Sequence, residues 1–180
     1  EMELKNDEQA DRGVMALGIN TAAKILCKKF DLVITNVPYL GRGKQDDILL
    51  AYGDENFPTT KWDLAFMMYQ HCVNLTTLKG TIALVVPQNW IFAGRYESFR
   101  TATLKQNSLH LFARLGAGAF TTISGEIVKV LLTISSHNKP SEENKLSLVD
   151  AHSQKTVDDK INALRNDLVV TKQNDHLKNP

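Results

Sequence analysis

Two short runs constrain this chain more than anything else in it: Leu32-Val33-Ile34-Thr35 and Thr81-Ile82-Ala83-Leu84-Val85-Val86. Both are apolar and rich in β-branched residues, with no polar alternation. That is the pattern of strands covered on both faces, as in a parallel sheet. Between them, residues 62–78 carry Ala65, Met68, Tyr69, Cys72 and Leu75 on one helical face, with Lys79-Gly80 as a basic last turn and stop. The first run is therefore expected to be a central parallel strand, and Pro87 ends the second.

The remaining segments extend the alternation. Apolar Val14, Leu17, Ile19, Ala22, Ala23, Ile25 and Leu26 predict a helix over 14–29, with Lys28 and Lys29 where the macrodipole favours cations. Residues 1–13 are expected to form a flexible polar end. From Asn36 to Lys61, roughly 25 residues containing Gly41, Gly43, Gly53 and Pro58 read as a long loop, a length typical of lids and binding loops. A surface helix is expected over 96–106, and strands over 109–115 and 127–135. About ten residues join these two strands, too few for a helical crossover, so the pair should be antiparallel. The whole predicts an α/β domain with a mostly parallel sheet. Beyond Pro140 the chain turns to Ser, Glu, Asn and Lys; a strand over 145–149 and a polar helix over 156–165 read as a satellite or linker, residues 141–180.

A chain of 180 residues with net charge +1 has no overall electrostatic signature of nucleic-acid binding, so such a role must rest on local patches. Cys27 and Cys72 lie far apart without metal-ligand spacing and read as free thiols of a reducing compartment, which points to the cytoplasm. No apolar run approaches the ~20 residues of a membrane span, and the acidic, Lys-containing start is no signal peptide. A chain running from Glu1 to Asn179-Pro180 reads as an excised piece.

The chemistry concentrates after the first apolar run, in Asn36-Val37-Pro38-Tyr39. Open α/β sheets bind ligands beyond the carboxyl ends of their strands, so an amide, a free carbonyl and an aromatic ring at that place are favourably set to meet a substrate. The tetrapeptide is also ordinary turn material. Phe120 reads as a core aromatic or a ligand-facing one, Asp63 as a helix-start carboxylate, Arg42 and Lys44 as solvated loop charges or phosphate contacts, and Trp62 and Trp90 as packing anchors. His71 beside Cys72 has no third ligand to make a metal site.

Asp31-x-x-x-x-Asn36-Val37-Pro38-Tyr39 resembles the Asn-Pro-Pro-Tyr motif of adenine-specific DNA methyltransferases. The resemblance runs in order through Leu40-Gly41-Arg42-Gly43-Lys44, Phe57-Pro58, Trp62-Asp63-Leu64, Leu78-Lys79-Gly80, Gln88-Asn89-Trp90-Ile91-Phe92, Leu115-Gly116-Ala117-Gly118-Ala119-Phe120 and Gly125-Glu126, over roughly residues 15–150. It is nearest to the methylase domain of large fused restriction-modification enzymes and phage-exclusion methyltransferases. The resemblance implies residues 14–140 of a partial Rossmann-like class I methyltransferase sheet, mostly parallel with an antiparallel strand near its end, lacking the N-terminal cofactor-binding strands. It implies S-adenosylmethionine as cofactor, and as partners double-stranded DNA with one adenine flipped out together with upstream and downstream domains of a parent chain. The Asn36 side-chain oxygen and the Val37 carbonyl would accept hydrogen bonds from the adenine amino group, and Tyr39 would stack on the extruded base for ~1–3 kcal/mol. Phe120 would cover the opposite face, and Asp63 would lie toward the cofactor.

Val37 stands where the family has its first proline. The role there belongs to a backbone carbonyl, which valine also carries, and Pro38 biases Val37 toward extended geometry. The family's glycine-rich cofactor loop belongs upstream of residue 1; neither Gly41-x-Gly43 nor Gly116-x-Gly118 sits between a first strand and its helix. Two rivals are a non-catalytic DNA-binding or specificity module on the same scaffold and a protein glutamine methyltransferase with a similar tetrapeptide. The Leu40–Lys44 extension and the long loop speak against the second.

Overall fold

The computed structural model describes residues 2–119 and 128–178, with side chains from residue 11 onward. Helix α1 (Met2–Leu26) is followed by strand β1 (Phe30–Asn36), a 3-10 turn (Arg42–Lys44), α2 (Asp47–Asn56), α3 (Leu64–Leu75), β2 (Thr76–Pro87), two 3-10 turns (Gln88–Ile91 and Gly94–Tyr96), α4 (Glu97–Gln106) and β3 (Ser108–Gly116). After it come β4 (Val130–Ser136), β5 (Lys145–Asp150), α5 (Val157–Asn166), β6 (Val169–Lys172) and a closing 3-10 segment (Gln173–Lys178).

The six strands form one sheet in the order β1-β2-β4-β3-β5-β6. Strands β1 and β2 are parallel, as are β3 and β5, while β4 is antiparallel to both neighbours and β6 to β5. Four strands thus share one direction, and the reversed β4 is the late antiparallel strand that the short β3–β4 connection predicts. Strands β5 and β6 beyond Pro140 continue the same sheet.

Helices α3 and α4 cover one face. Ile82, Leu84 and Val86 of β2, with Leu131 of β4, meet Ala65, Phe66, Tyr69 and Cys72 of α3 and Phe99 of α4. Trp90 seals this core, 5.7 Å from Tyr69 and 5.2 Å from Phe99 between ring centroids. Ala163 of α5 packs against Ala113 and Val149 on the other face. Each fully buried aliphatic or aromatic side chain contributes roughly 1.5–3 kcal/mol, so the α3–β2–Trp90 layer is the principal source of stability around the carboxyl end of β1.

Four expectations need correction. Strand β1 is an edge strand in this sheet, and Leu32 and Ile34, at 54% and 69% exposure, share a face of it that no described element covers, while Val33 on the other face packs against the core. The loop expected over 36–61 contains the 3-10 turn and α2, whose start is fixed by Asp46 accepting from the Leu49 N–H at 2.8 Å. The helix expected over 62–78 ends at Leu75, where β-branched Thr76 and Thr77 begin β2; Lys79-Gly80 is no helix stop. Instead, Phe30 faces Thr76 and Leu32 faces Thr81, so the intervening β2 residues bulge, with Lys79 at φ +68°. Finally, the helix expected from residue 14 starts at Met2, since residues 2–12 are rich in strong helix formers and free of Gly and Pro.

Candidate active site

Asn36 is the last residue of β1 and pairs with Val85, which brings the tetrapeptide beside the Pro87-Gln88-Asn89 end of β2. The chain then dives: Val37 is 3% exposed and enters the α3–β2 core, Pro38 is exposed, and Tyr39 is half-buried. Valine is thus used twice at this position, its side chain as an anchor and its carbonyl left to the turn.

The segment after Tyr39 is bound to the start of α3. Arg42 N–H donates to the Trp62 carbonyl at 2.9 Å, Leu64 N–H to the Leu40 carbonyl at 3.0 Å, and Gly41 bridges Asp63. Asp63 is the N-cap of α3. Its Oδ1 accepts from Ala65 N–H at 2.9 Å and from Leu40 N–H at 3.1 Å, so one carboxylate joins motif and helix. Burial pushes its pKa up, partly offset by those two N–H donors. Tyr39 hydroxyl donates to Asn36 Oδ1 at a long 3.4 Å. Its own pKa is pushed up to about 12 by burial and then by the Asp63 charge, so it stays a neutral donor at physiological pH.

These groups open onto a cavity of about 550 Å³ lined by Tyr39, Arg42, Lys44, Trp62, Asp63, Asn89, Arg95 and Tyr96. The structure therefore brings Tyr39, Arg42, Lys44 and Asp63 around one space, with Asn36 tied to it through Tyr39, whereas Val37 is buried in the core and neither it nor Pro38 lines the cavity. Phe120, Gly125 and Glu126 lie outside the described residues. Asp63 serves as a structural cap, and Arg42 is not a free loop charge: its Nη2 pairs with Asp54 at 2.8 Å. Trp62, Asn89, Arg95 and Tyr96 had no assigned role at this site. Asn89 carried a legible signal, since it follows the end of the second apolar run as Asn36 follows the first. Arg95 carried none, because its place depends on how the turn after Ile91 folds back.

A smaller, more apolar pocket of about 430 Å³ lies elsewhere, between α4, β3 and β5. It holds none of the tetrapeptide residues. Among the described residues there is no cluster of three or more metal-ligating side chains, and no helix is long and apolar enough to cross a membrane. Cys27 is exposed and Cys72 buried, both free thiols.

Comparison with known proteins bears on this arrangement. The family model for N-6 DNA methylase matches residues 2–178. The adenine-specific methyltransferase BrxX of Escherichia coli O9:H4 (strain HS) is 32% identical over 163 residues, 88% of this chain and 13% of that protein. Among solved structures, the type I restriction-modification methyltransferase subunit of Streptococcus thermophilus superposes with TM-score 0.61 at 17% identity, over 85% of this chain and 36% of that one. A class I S-adenosylmethionine-dependent methyltransferase from Listeria monocytogenes superposes with TM-score 0.54 at 15% identity, over 78% and 42%. At these identities the two structures show the fold, a class I methyltransferase sheet, and the chain spans a minor part of each protein it matches.

Proposed function

This chain belongs to the N-6 DNA methylase family, and from that premise we propose that it supplies the base-holding half of a site-specific adenine methyltransferase acting on double-stranded DNA in restriction-modification or phage defence. The observation that carries the reading is the position of Asn36-Val37-Pro38-Tyr39 at the carboxyl end of β1, where Tyr39, hydrogen-bonded to Asn36, lines a cavity that also presents Asn89 from just beyond the end of β2.

An adenine extruded from the duplex offers its amino group as donor. Asn36 Oδ1 has two lone pairs; Tyr39 hydroxyl engages one weakly, and the other accepts from the amino nitrogen. The Val37 carbonyl accepts the second proton. Held by two acceptors, the nitrogen has its lone pair turned out of conjugation with the ring and becomes nucleophilic without a strong base. Tyr39, neutral and half-buried, stacks on the base. S-adenosylmethionine, when bound, supplies the methyl group. The described residues fit the base and not the cofactor. They contain no glycine-rich turn from a strand into a helix, the Gly41-x-Gly43 pair opens a three-residue 3-10 turn, and Asp63 Oδ1 is committed to two backbone N–H groups. The cofactor surface is assigned to other parts of a longer parent chain, whose site of action, given two free thiols, is the cytoplasm.

Replacing Asn36 by Ala in the full-length parent should abolish methyl transfer, read as tritium from labelled cofactor reaching DNA, while DNA affinity stays within a few fold. Transfer at the normal rate would refute the role given to the amide.

A further inference from the structure

Trp62 carries three cations about one indole. The Arg42 guanidinium lies 5.7 Å, Lys61 Nζ 5.5 Å and the Arg95 guanidinium 5.8 Å from the ring centroid. A single carboxylate answers two of them: Asp54 receives Arg42 at 2.8 Å and Lys61 at 2.9 Å, and both contacts hold its pKa below the usual carboxylate value. Arg95, exposed on the turn Gly94–Tyr96, has no ion-pair partner among the described residues. Arg42 Nη1 is buried and likewise has no hydrogen-bond acceptor among them. A buried donor without an acceptor is a costly arrangement unless a ligand completes it. The cluster stands on the wall of the cavity that holds Tyr39 and Asn89. Its three cations exceed its carboxylate, in a chain whose total charge is only +1.

We propose that this cluster receives the phosphodiester of the DNA strand whose nucleotide enters the cavity, with Arg95 making the primary contact, Arg42 Nη1 the second, and Asp54 acting as resident counter-charge in the free protein. The inference rests on the base-holding role given above, because an extruded nucleotide carries its own flanking phosphates to the mouth of the pocket that takes its base. Guanidinium forks suit phosphate oxygens, and two of the three cations are arginines. The indole holds the cations in place by its ring quadrupole, which leaves Trp62 as a platform for charge and not as a base stacker.

The test is a titration of the full-length parent with a fluorescein-labelled duplex across a series of salt concentrations. Arg95→Gln should reduce the slope of log affinity against log salt by about 1 and weaken binding about equally for every duplex sequence. Arg95→Lys should keep the wild-type slope, separating charge from packing. Asp54→Asn should bind more tightly at low salt. Cofactor affinity, measured by calorimetry, should be unchanged in all three, which separates DNA phosphate from the cofactor's own carboxylate as the anion. Wild-type slope and affinity in Arg95→Gln, or a loss of cofactor affinity in place of DNA affinity, would overturn the proposal. Methyl transfer by the wild-type protein is scored separately: its absence alongside an intact Arg95 effect would remove the methylase reading and leave the phosphate contact standing.

Discussion

Asp63 shows how one side chain can be read correctly in kind and differently in use. A carboxylate at a helix start is what the sequence supports, and the structure gives it two backbone N–H groups to accept, one from α3 and one from Leu40 just after the tetrapeptide. Asp63→Ala should lower stability by about 1 kcal/mol through the lost cap, measured by urea denaturation. Asp63→Asn keeps an acceptor oxygen and sheds a charge that burial disfavours. A carboxylate whose folded pKa is raised favours the fold most below its unfolded value, near 4, and loses that contribution as pH rises through the folded value. The Asn variant should therefore gain on wild type as pH rises from about 4 through the folded value; a constant difference over that rise would show that the charge is not the disfavoured element. Residues such as Asn36, Tyr39 and Asp63 were legible because their signals are local: a strand end, a turn proline, a helix start. Arg95 and Trp62 were not, since charges from three separate segments converge on one ring only after folding.

At the level of elements, apolar runs announced the strands, and their neighbours decided the edges. Strand β2 starts five residues before its apolar run because Thr76 pairs with Phe30 and Thr77 donates its hydroxyl to Asp31 at 2.7 Å, contacts between residues far apart in sequence. Asp31, part of the extended motif in sequence, thus works at the opposite end of β1 from the tetrapeptide. Where β3 ends, two glycines take positive φ for different reasons. Gly116, at φ +64°, has the His152 carbonyl oxygen 2.7 Å from where a Cβ would sit, whereas Gly118, at φ +72°, has nothing within 4 Å among the described residues. Gly118→Ala should cost about 1 kcal/mol from backbone strain alone, and Gly116→Ala at least about 1 kcal/mol more, since backbone at residue 152 must also move. Equal denaturation midpoints for the two variants would contradict the close approach at Gly116.

For the whole molecule, exposed apolar side chains concentrate along α1 and β1. The outer positions of β1 and the described side chains of α1 are exposed, Val14, Leu17, Ile19, Leu32 and Ile34 each above half of their surface. Apolar patches of this kind mark interfaces or drive association. The 180-residue chain alone should therefore self-associate with rising concentration in sedimentation velocity, and a double Leu32→Lys, Ile34→Lys variant should shift it toward monomer. An unchanged distribution would place the association elsewhere. Read from sequence, the β1 run looked like the inside of a sheet, and its composition is that of an inside strand. What the residues could not state is how many neighbours this stretch of chain brings with it.

The order of strands also has a temporal meaning. Between β2 and β3 in space lies β4, which follows both in the chain. As the polypeptide leaves the ribosome, the inner edge of β2, already carrying its apolar face toward α3, has no partner until residue 136 is made. Strands β3 and β4 are joined by a short connection, whereas β4 must reach back about fifty residues to pair with β2, and contacts of that sequence separation form slowly. Any pause in synthesis before that point leaves an unpaired, strongly apolar strand edge beside the Asn36–Tyr39 segment, and it is there that assistance during folding would act.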